Sequence, residues 1–151
     1  MGREVKNGTA EGNKKRRSVR MKIDEFVYRL CTENRNFASL ATLMPDGSPQ
    51  VSATWVDSDG EYILINTADG RVKAENMKRD PRVAVSITDS GNPYRQAMIM
   101  GRVAEHTYES AEIHINRMAK KYLKLDTYPR TDKNEKRVIF RIKPEKIYKL
   151  T

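Results

Sequence analysis

The strongest constraint on this chain is a pair of turn signals set very close together. "FASLATLM" (37–44) reads as a strand, "PDGS" (45–48) as a turn, and "PQVSATWV" (49–56) as a second strand. "DSDG" (57–60) is a second turn, followed by a third strand-like run, "EYILIN" (61–66). Connections this short cannot carry a parallel crossover, which takes a dozen or more residues, so they predict an antiparallel meander. Ile23, Phe26, Val27 and Leu30 fall at helical spacing before it and predict an opening helix. Beyond it, 71–79 reads as a helix stopped by Asp80-Pro81, since proline disfavours a helical residue before it. "RVAVSIT" (82–88) and "RQAMIMGRVAEH" (95–106) are two further strands across a wide turn, with Gly101 a plausible bulge. Ala111, Ile115, Met118, Ala119 and Tyr122 share one face of a helix over 108–124. A polar loop (126–136) leads to the last strand, "RVIFRIKPEKIYKL" (137–150). Six strands with peripheral helices predict a small barrel of the α+β class.

Size and charge bound what such a barrel can be. The chain of 151 residues suits one domain with a real core. No run approaches the roughly 20 apolar residues of a membrane span, and no secretory signal is visible. Cys31 is the lone cysteine, so no intramolecular disulfide can form and a thiolate metal site is not expected. These features point to a cytoplasmic protein. The net charge of +9 is concentrated at one end: residues 1–20 carry seven basic and two acidic side chains, and almost nothing apolar. We read 1–20 as a disordered basic tail and 21–151 as the folded domain. The "KKRR" run (14–17) can touch polyanions non-specifically, and specific nucleic-acid binding is not expected of it.

The segment "NTADGRVKAEN" (66–76) is where function concentrates. A helix start already carries roughly half a positive charge and favours acidic side chains, yet Arg71 and Lys73 stand in this first turn. Backbone N–H groups, a bidentate guanidinium and an ammonium together suit a bound phosphate, with Asn76 one turn further on. The plainer account makes Asp69 the helix cap and leaves both cations solvated. Spacing alone does not separate the two. Elsewhere the chain offers little chemistry. His106 and His114 have no motif partner, and Asp57-Ser58-Asp59-Gly60 lacks the spacing and terminal Glu of a calcium loop, so no metal site is expected. No nucleophile elbow, phosphate loop or dinucleotide fingerprint is present, and no side chain is expected to act as a catalytic base.

"FASLATLMPDGSPQVSATWVD" (37–57), "ILINTADGRVKAENMKRDPRVAVSITD" (63–89) and "NPYRQAMIMGRV" (92–103) resemble, in order and spacing, the pyridoxamine 5'-phosphate oxidase-like split-barrel family. The closer likeness is to its branch of deazaflavin-dependent oxidoreductases, which use coenzyme F420. The resemblance covers roughly 22–150 and implies a six-stranded antiparallel split β-barrel that works as a homodimer with cofactor sites at the interface. It further implies that Asn66, Thr67, Arg71, Lys73 and Asn76 hold the cofactor's phosphate and neighbouring chain. Gln50 and Tyr94 would approach from the partner subunit, with Ser52 and Trp55 nearby. Met98-Ile99-Met100 stand where many relatives carry charge, and Ala53-Thr54 replaces a Pro-containing sequence. The Arg-x-His feature of true pyridoxamine phosphate oxidases is missing near the C-terminus, which argues against pyridoxamine phosphate as substrate. Arg95 is a candidate for meeting charge on an acceptor, although an exposed edge-strand cation is the simpler reading. The function implied is hydride transfer between reduced deazaflavin and a small conjugated organic substrate. FMN on the same fold is the alternative cofactor, and a non-catalytic flavin- or haem-binding protein the alternative class.

Overall fold

The computed structural model describes residues 21–130 and 132–151, so the basic tail lies outside the described residues. One antiparallel sheet of seven strands curls into a half-barrel, with three helices around it. The elements are α1 (Glu25–Thr32), β1 (Phe37–Leu43), β2 (Pro49–Trp55), β3 (Asp57–Ser58), β4 (Ile63–Ala68), α2 (Val72–Arg79), β5 (Arg82–Asp89), β6 (Asn92–Thr107), α3 (Ala111–Leu123) and β7 (Arg137–Leu150). Their order across the sheet is β2-β1-β5-β6-β7-β4-β3.

The expected α+β barrel is present, with two corrections. The "DSDG" stretch is not wholly a turn. Asp57 and Ser58 form a seventh, two-residue strand against Leu64 and Ile63, and the reversal follows at Asp59-Gly60, where Gly60 takes a positive φ of 91°. The meander also stops after one hairpin. β1 and β2 pair from Phe37↔Trp55 to Leu43↔Pro49, but β4 leaves β2 and pairs with β7, Ile65 opposite Phe140. The reason is burial on both faces. Ile63 and Ile65 enter the barrel core while Leu64 packs against Ala111 of α3 and Ile139 of β7, so β4 needs a partner inside the sheet.

The core fills the barrel from both ends. Val27 and Leu30 of α1, Ala74 and Met77 of α2, and Leu40, Val85, Ile87, Ile99, Phe140 and Ile142 of the sheet form one buried cluster. Gly101 is the expected bulge: the β6–β7 register shifts between Met100 and Gly101, and a Cβ there would stand 2.6 Å from the Lys143 carbonyl oxygen. α3 lies outside the barrel, and its Tyr122 ties it down. The Tyr122 hydroxyl donates to the carbonyl of Asn36 and accepts from the N–H of Val56 at 3.2 Å. No helix among the described residues is long and apolar enough to cross a membrane.

Candidate functional site

Between the start of α2, the outer face of β4, the end of β2 and the first half of α3 lies an open groove of about 160 Å³. Its polar side is Asn66, Arg71, Lys73 and Arg137, and its apolar side is Phe37, Trp55, Ile115 and Tyr128, with Ala53 and Thr54 at the rim. The aromatic wall is built by contact. Trp55 stacks on Tyr122 at 4.9 Å between ring centroids, and the ring of Tyr128 meets Trp55 edge-on at 5.8 Å. The Arg137 guanidinium lies over the other part of this wall, 4.8 Å from the Tyr128 centroid.

The cations are held unequally. Arg71 is the N-cap of α2 with extended backbone and no capping hydrogen bond, so Asp69 does not cap the helix. Asp69 instead accepts from Lys78 Nζ at 2.7 Å and Tyr108 Oη at 3.1 Å. Glu135 bridges the two arginines, accepting from Arg71 Nη2 at 3.0 Å and from Arg137 Nη1 at 2.6 Å. Arg137 is almost wholly buried and also donates from Nε to Asn66 Oδ1 at 3.0 Å and from Nη2 to the Asn66 carbonyl at 3.2 Å. Lys73 is half-buried and has no ion-pair or hydrogen-bond partner among the described residues. Burial, then the neighbouring charges of Arg71 and Arg137, hold its ammonium below the ordinary lysine value. Three cations against one carboxylate leave the groove with two uncompensated positive charges, beside helix-start N–H groups that no carbonyl above them satisfies. A phosphate, either a monoester or a diester with a carboxylate on its neighbouring chain, supplies negative charge that matches this excess.

The expected site residues separate into four places. Asn66, Arg71 and Lys73 meet in the groove, and Trp55 joins them. Gln50 and Asn76 sit away from it but are joined to each other through Thr42. Buried Asn76 donates to Thr42 Oγ1 at 3.0 Å, and Thr42 donates to Gln50 Oε1 at 3.1 Å. Thr67 follows Ile63 and Ile65 onto the inner face of β4, and its buried hydroxyl has no partner among the described residues, as is true of Ser52. Tyr94 is 76% exposed near the β5–β6 turn, apart from the groove. Arg95 is neither a groove residue nor a free surface cation: it pairs with Asp89 at 2.9 Å and covers Phe26 at 4.8 Å.

Sequence reasoning missed Glu135, Arg137, Tyr128 and His114. The first three follow Arg71 by more than fifty residues, in a loop and at a strand's first position, and only folding brings them to it. His114 has no motif partner in the sequence, yet it is 4% exposed and hydrogen-bonds to both Asn66 and Asp57. The one available signal was an arginine opening the otherwise apolar run Val138-Ile139-Phe140.

The chain is thus an α+β split antiparallel barrel with a cationic, aromatic-backed groove on its outer face. A family model described as pyridoxamine 5'-phosphate oxidase matches residues 22–151. The chain belongs to that family, one of flavin-binding oxidoreductases. Among solved structures it is similar to an F420 reductase, at 33% identity over 80% of this chain and 95% of that one, with a TM-score of 0.70. It is also similar to a conserved hypothetical protein from Mycobacterium tuberculosis, at 25% identity over 88% of each chain and a TM-score of 0.60. A putative pyridoxamine 5'-phosphate oxidase from Listeria innocua, 20% identical over 83% of this chain and 96% of that one, shares the fold at a TM-score of 0.63. No curated protein matches the chain.

Proposed function

We propose that this protein is a homodimeric oxidoreductase that binds coenzyme F420 and passes a hydride between the reduced deazaflavin and a small conjugated organic substrate. The observation that carries the reading is Lys73, a half-buried ammonium facing two guanidiniums with no anion of its own among the described residues. An isolated buried charge is costly, and a fold keeps one where a ligand supplies the counter-charge. Arg71, Lys73 and the first-turn N–H groups of α2 would take the phosphate, while Arg137 is held in place by Glu135 and Asn66. Phe37, Trp55 and Tyr128 would shield an adjoining planar ring from water. The hydride chemistry is supplied by the cofactor when bound, and the chain's residues bind, orient and exclude water.

A second copy of the chain fits the outer sheet face beside the groove. Val51, Ala41, Ala84 and Met100 stand directly opposite one another across four strands, and Ala53, Ser39, Ser86, Met98 and Tyr148 form the next row across five. Val51, Met98, Met100 and Tyr148 are each at least 40% exposed, an apolar patch of the kind that marks an interface. Ala53 belongs both to this face and to the groove, so a partner seated there would close the groove's open side and could bring Gln50 and Tyr94 toward it. Met98 and Met100 then serve the interface.

FMN is the second reading, because its phosphate satisfies Arg71 and Lys73 equally well. Trp55 is the sole tryptophan and lines the groove, so its fluorescence reports occupancy. Tight quenching by F420 with weak quenching by FMN supports the proposal, and the reverse order transfers the chemistry to flavin. Quenching by neither overturns the phosphate assignment.

A further inference from the structure

A chain of hydrogen bonds runs behind the groove through four residues that the cofactor reading does not use together. His114 Nε2 stands 3.0 Å from Asp57 Oδ2, and His114 Nδ1 stands 3.0 Å from Asn66 Nδ2. Asn66 Nδ2 also donates to the Ala111 carbonyl at 2.9 Å, and Asn66 Oδ1 accepts from Arg137 Nε at 3.0 Å. We propose that Asp57, acting through His114 and Asn66, is the positioning residue for Arg137, the buried guanidinium of the groove.

The argument is one of donors and acceptors. A guanidinium only donates, so the Asn66 atom facing Arg137 must be its oxygen. The Asn66 amide nitrogen then faces the Ala111 carbonyl and His114 and has two protons to give, so His114 Nδ1 must present a lone pair. That places the ring proton on Nε2, pointing at Asp57, whose carboxylate only accepts. Both ends are fixed by groups that cannot reverse their role, and the middle has one consistent polarity. Burial pushes the Asp57 carboxyl upward, but the hydrogen bonds from His114 and Ser58 and the charge of Lys121 outweigh it and hold it below the usual carboxylate value. Arg117 Nη2 lies 3.7 Å from the same oxygen. Asp57 therefore stays ionised at neutral pH, and the chain keeps its direction.

The consequence for binding rests on the groove being an anion site; the direction of the chain does not. Replacing Asp57 by Asn tests both. The Ser58 N–H takes one side-chain oxygen of Asp57, so in Asp57→Asn the amide NH2 turns to His114 and the ring proton is displaced to Nδ1, against Asn66. Nitrogen-15 NMR of the ligand-free protein should show His114 protonated at Nε2 in wild type and at Nδ1 in Asp57→Asn. The Arg137 Nε–H should exchange slowly in wild type and rapidly in the variant. Asn66→Asp gives a second route: it should keep the Arg137 Nε–H protected while placing His114 between two carboxylates, so that the ring is protonated at Nδ1 as well as Nε2. Affinity for F420 and FMN, measured on the same proteins, should fall roughly tenfold in Asp57→Asn, as for one charge-assisted contact weakened.

Unchanged His114 and Arg137 signals in Asp57→Asn would overturn the proposal. So would a displaced proton with undiminished cofactor affinity while Lys73→Ala weakens binding, and that result would leave the anion reading standing. If wild type binds neither cofactor, the anion reading fails, and the NMR signals alone decide whether Asp57 orients Arg137.

Discussion

Two half-buried lysines bracket the groove's wall, and they are held in opposite ways. Lys121, on α3, donates to the Cys31 carbonyl at 3.0 Å and lies 4.9 Å from the Tyr122 ring centroid; burial lowers its pKa while Asp57 pulls it back up. Lys73, on α2, is also pulled down by burial, but its neighbours Arg71 and Arg137 push it further down. One cation has been given carbonyls and a nearby carboxylate; the other has been set among like charges. The first arrangement fastens α3 to the barrel. The second leaves a charge that folding alone does not explain, which is the mark of a binding site. Removing Lys121 should therefore weaken the fold and spare binding, while removing Lys73 should do the reverse.

The largest effect belongs to the fastening side. Tyr122 carries the hydrogen bonds to Asn36 and Val56, stacks under Trp55 and has its own pKa pushed up to about 12 by burial. Tyr122→Ala should cost about 3–5 kcal/mol in urea unfolding, as for loss of a buried aromatic. Next comes Lys73→Met, which should weaken F420 or FMN binding by roughly 1.5–3 kcal/mol in titration calorimetry. The same variant should be more stable than wild type by about 0.5–2 kcal/mol, because a repelled cation is replaced by an apolar chain. Lys121→Met should lower stability by about 1 kcal/mol, the net worth of a typical hydrogen bond, with affinity unchanged. A Lys73→Met protein that binds normally, or a Lys121→Met protein that does not, would erase the distinction.

The sequence shows the fastening side poorly and the binding side in part. Turns and periodicity locate every helix and six of seven strands, because those signals are local. They misplace the partner of β4, since pairing with β7 depends on residues about seventy positions away that cover its second face. For the same reason Arg71 and Lys73 were visible as misplaced charges within one helix turn, whereas Arg137 and Glu135 were not. Tyr122 shows only as an apolar position on α3; its hydroxyl bonds to Asn36 and Val56 are long-range facts of the fold. His114 is the sharpest case. It has no partner within its own helix, and both partners, Asp57 of β3 and Asn66 of β4, lie 57 and 48 positions earlier in the chain.

The smallest expected effect is also the most selective for Lys73. Its lowered pKa in the free protein means that the charged form is disfavoured by the fold, so free-protein stability rises as pH climbs from that lowered value toward the ordinary lysine pKa. A bound phosphate reverses the balance by favouring the ammonium, which raises the pKa in the complex. Affinity should then be full below the free-protein pKa and fall as pH rises through it, by at most about tenfold per pH unit, levelling off above the pKa of the complex. With FMN, any change near pH 6 belongs instead to the second ionisation of its phosphate monoester, at about 6, which the phosphodiester of F420 lacks. Calorimetry in two buffers of different ionisation enthalpy should show proton uptake on binding along the alkaline limb. Lys73→Arg should keep binding and lose that limb, because a guanidinium stays charged throughout. Lys121→Met should retain it unchanged, since Lys121 faces carbonyls and Asp57 whether or not the groove is filled. If the alkaline limb instead persists in Lys73→Arg, the titrating group is not Lys73, and the two lysines no longer differ in the way the groove requires.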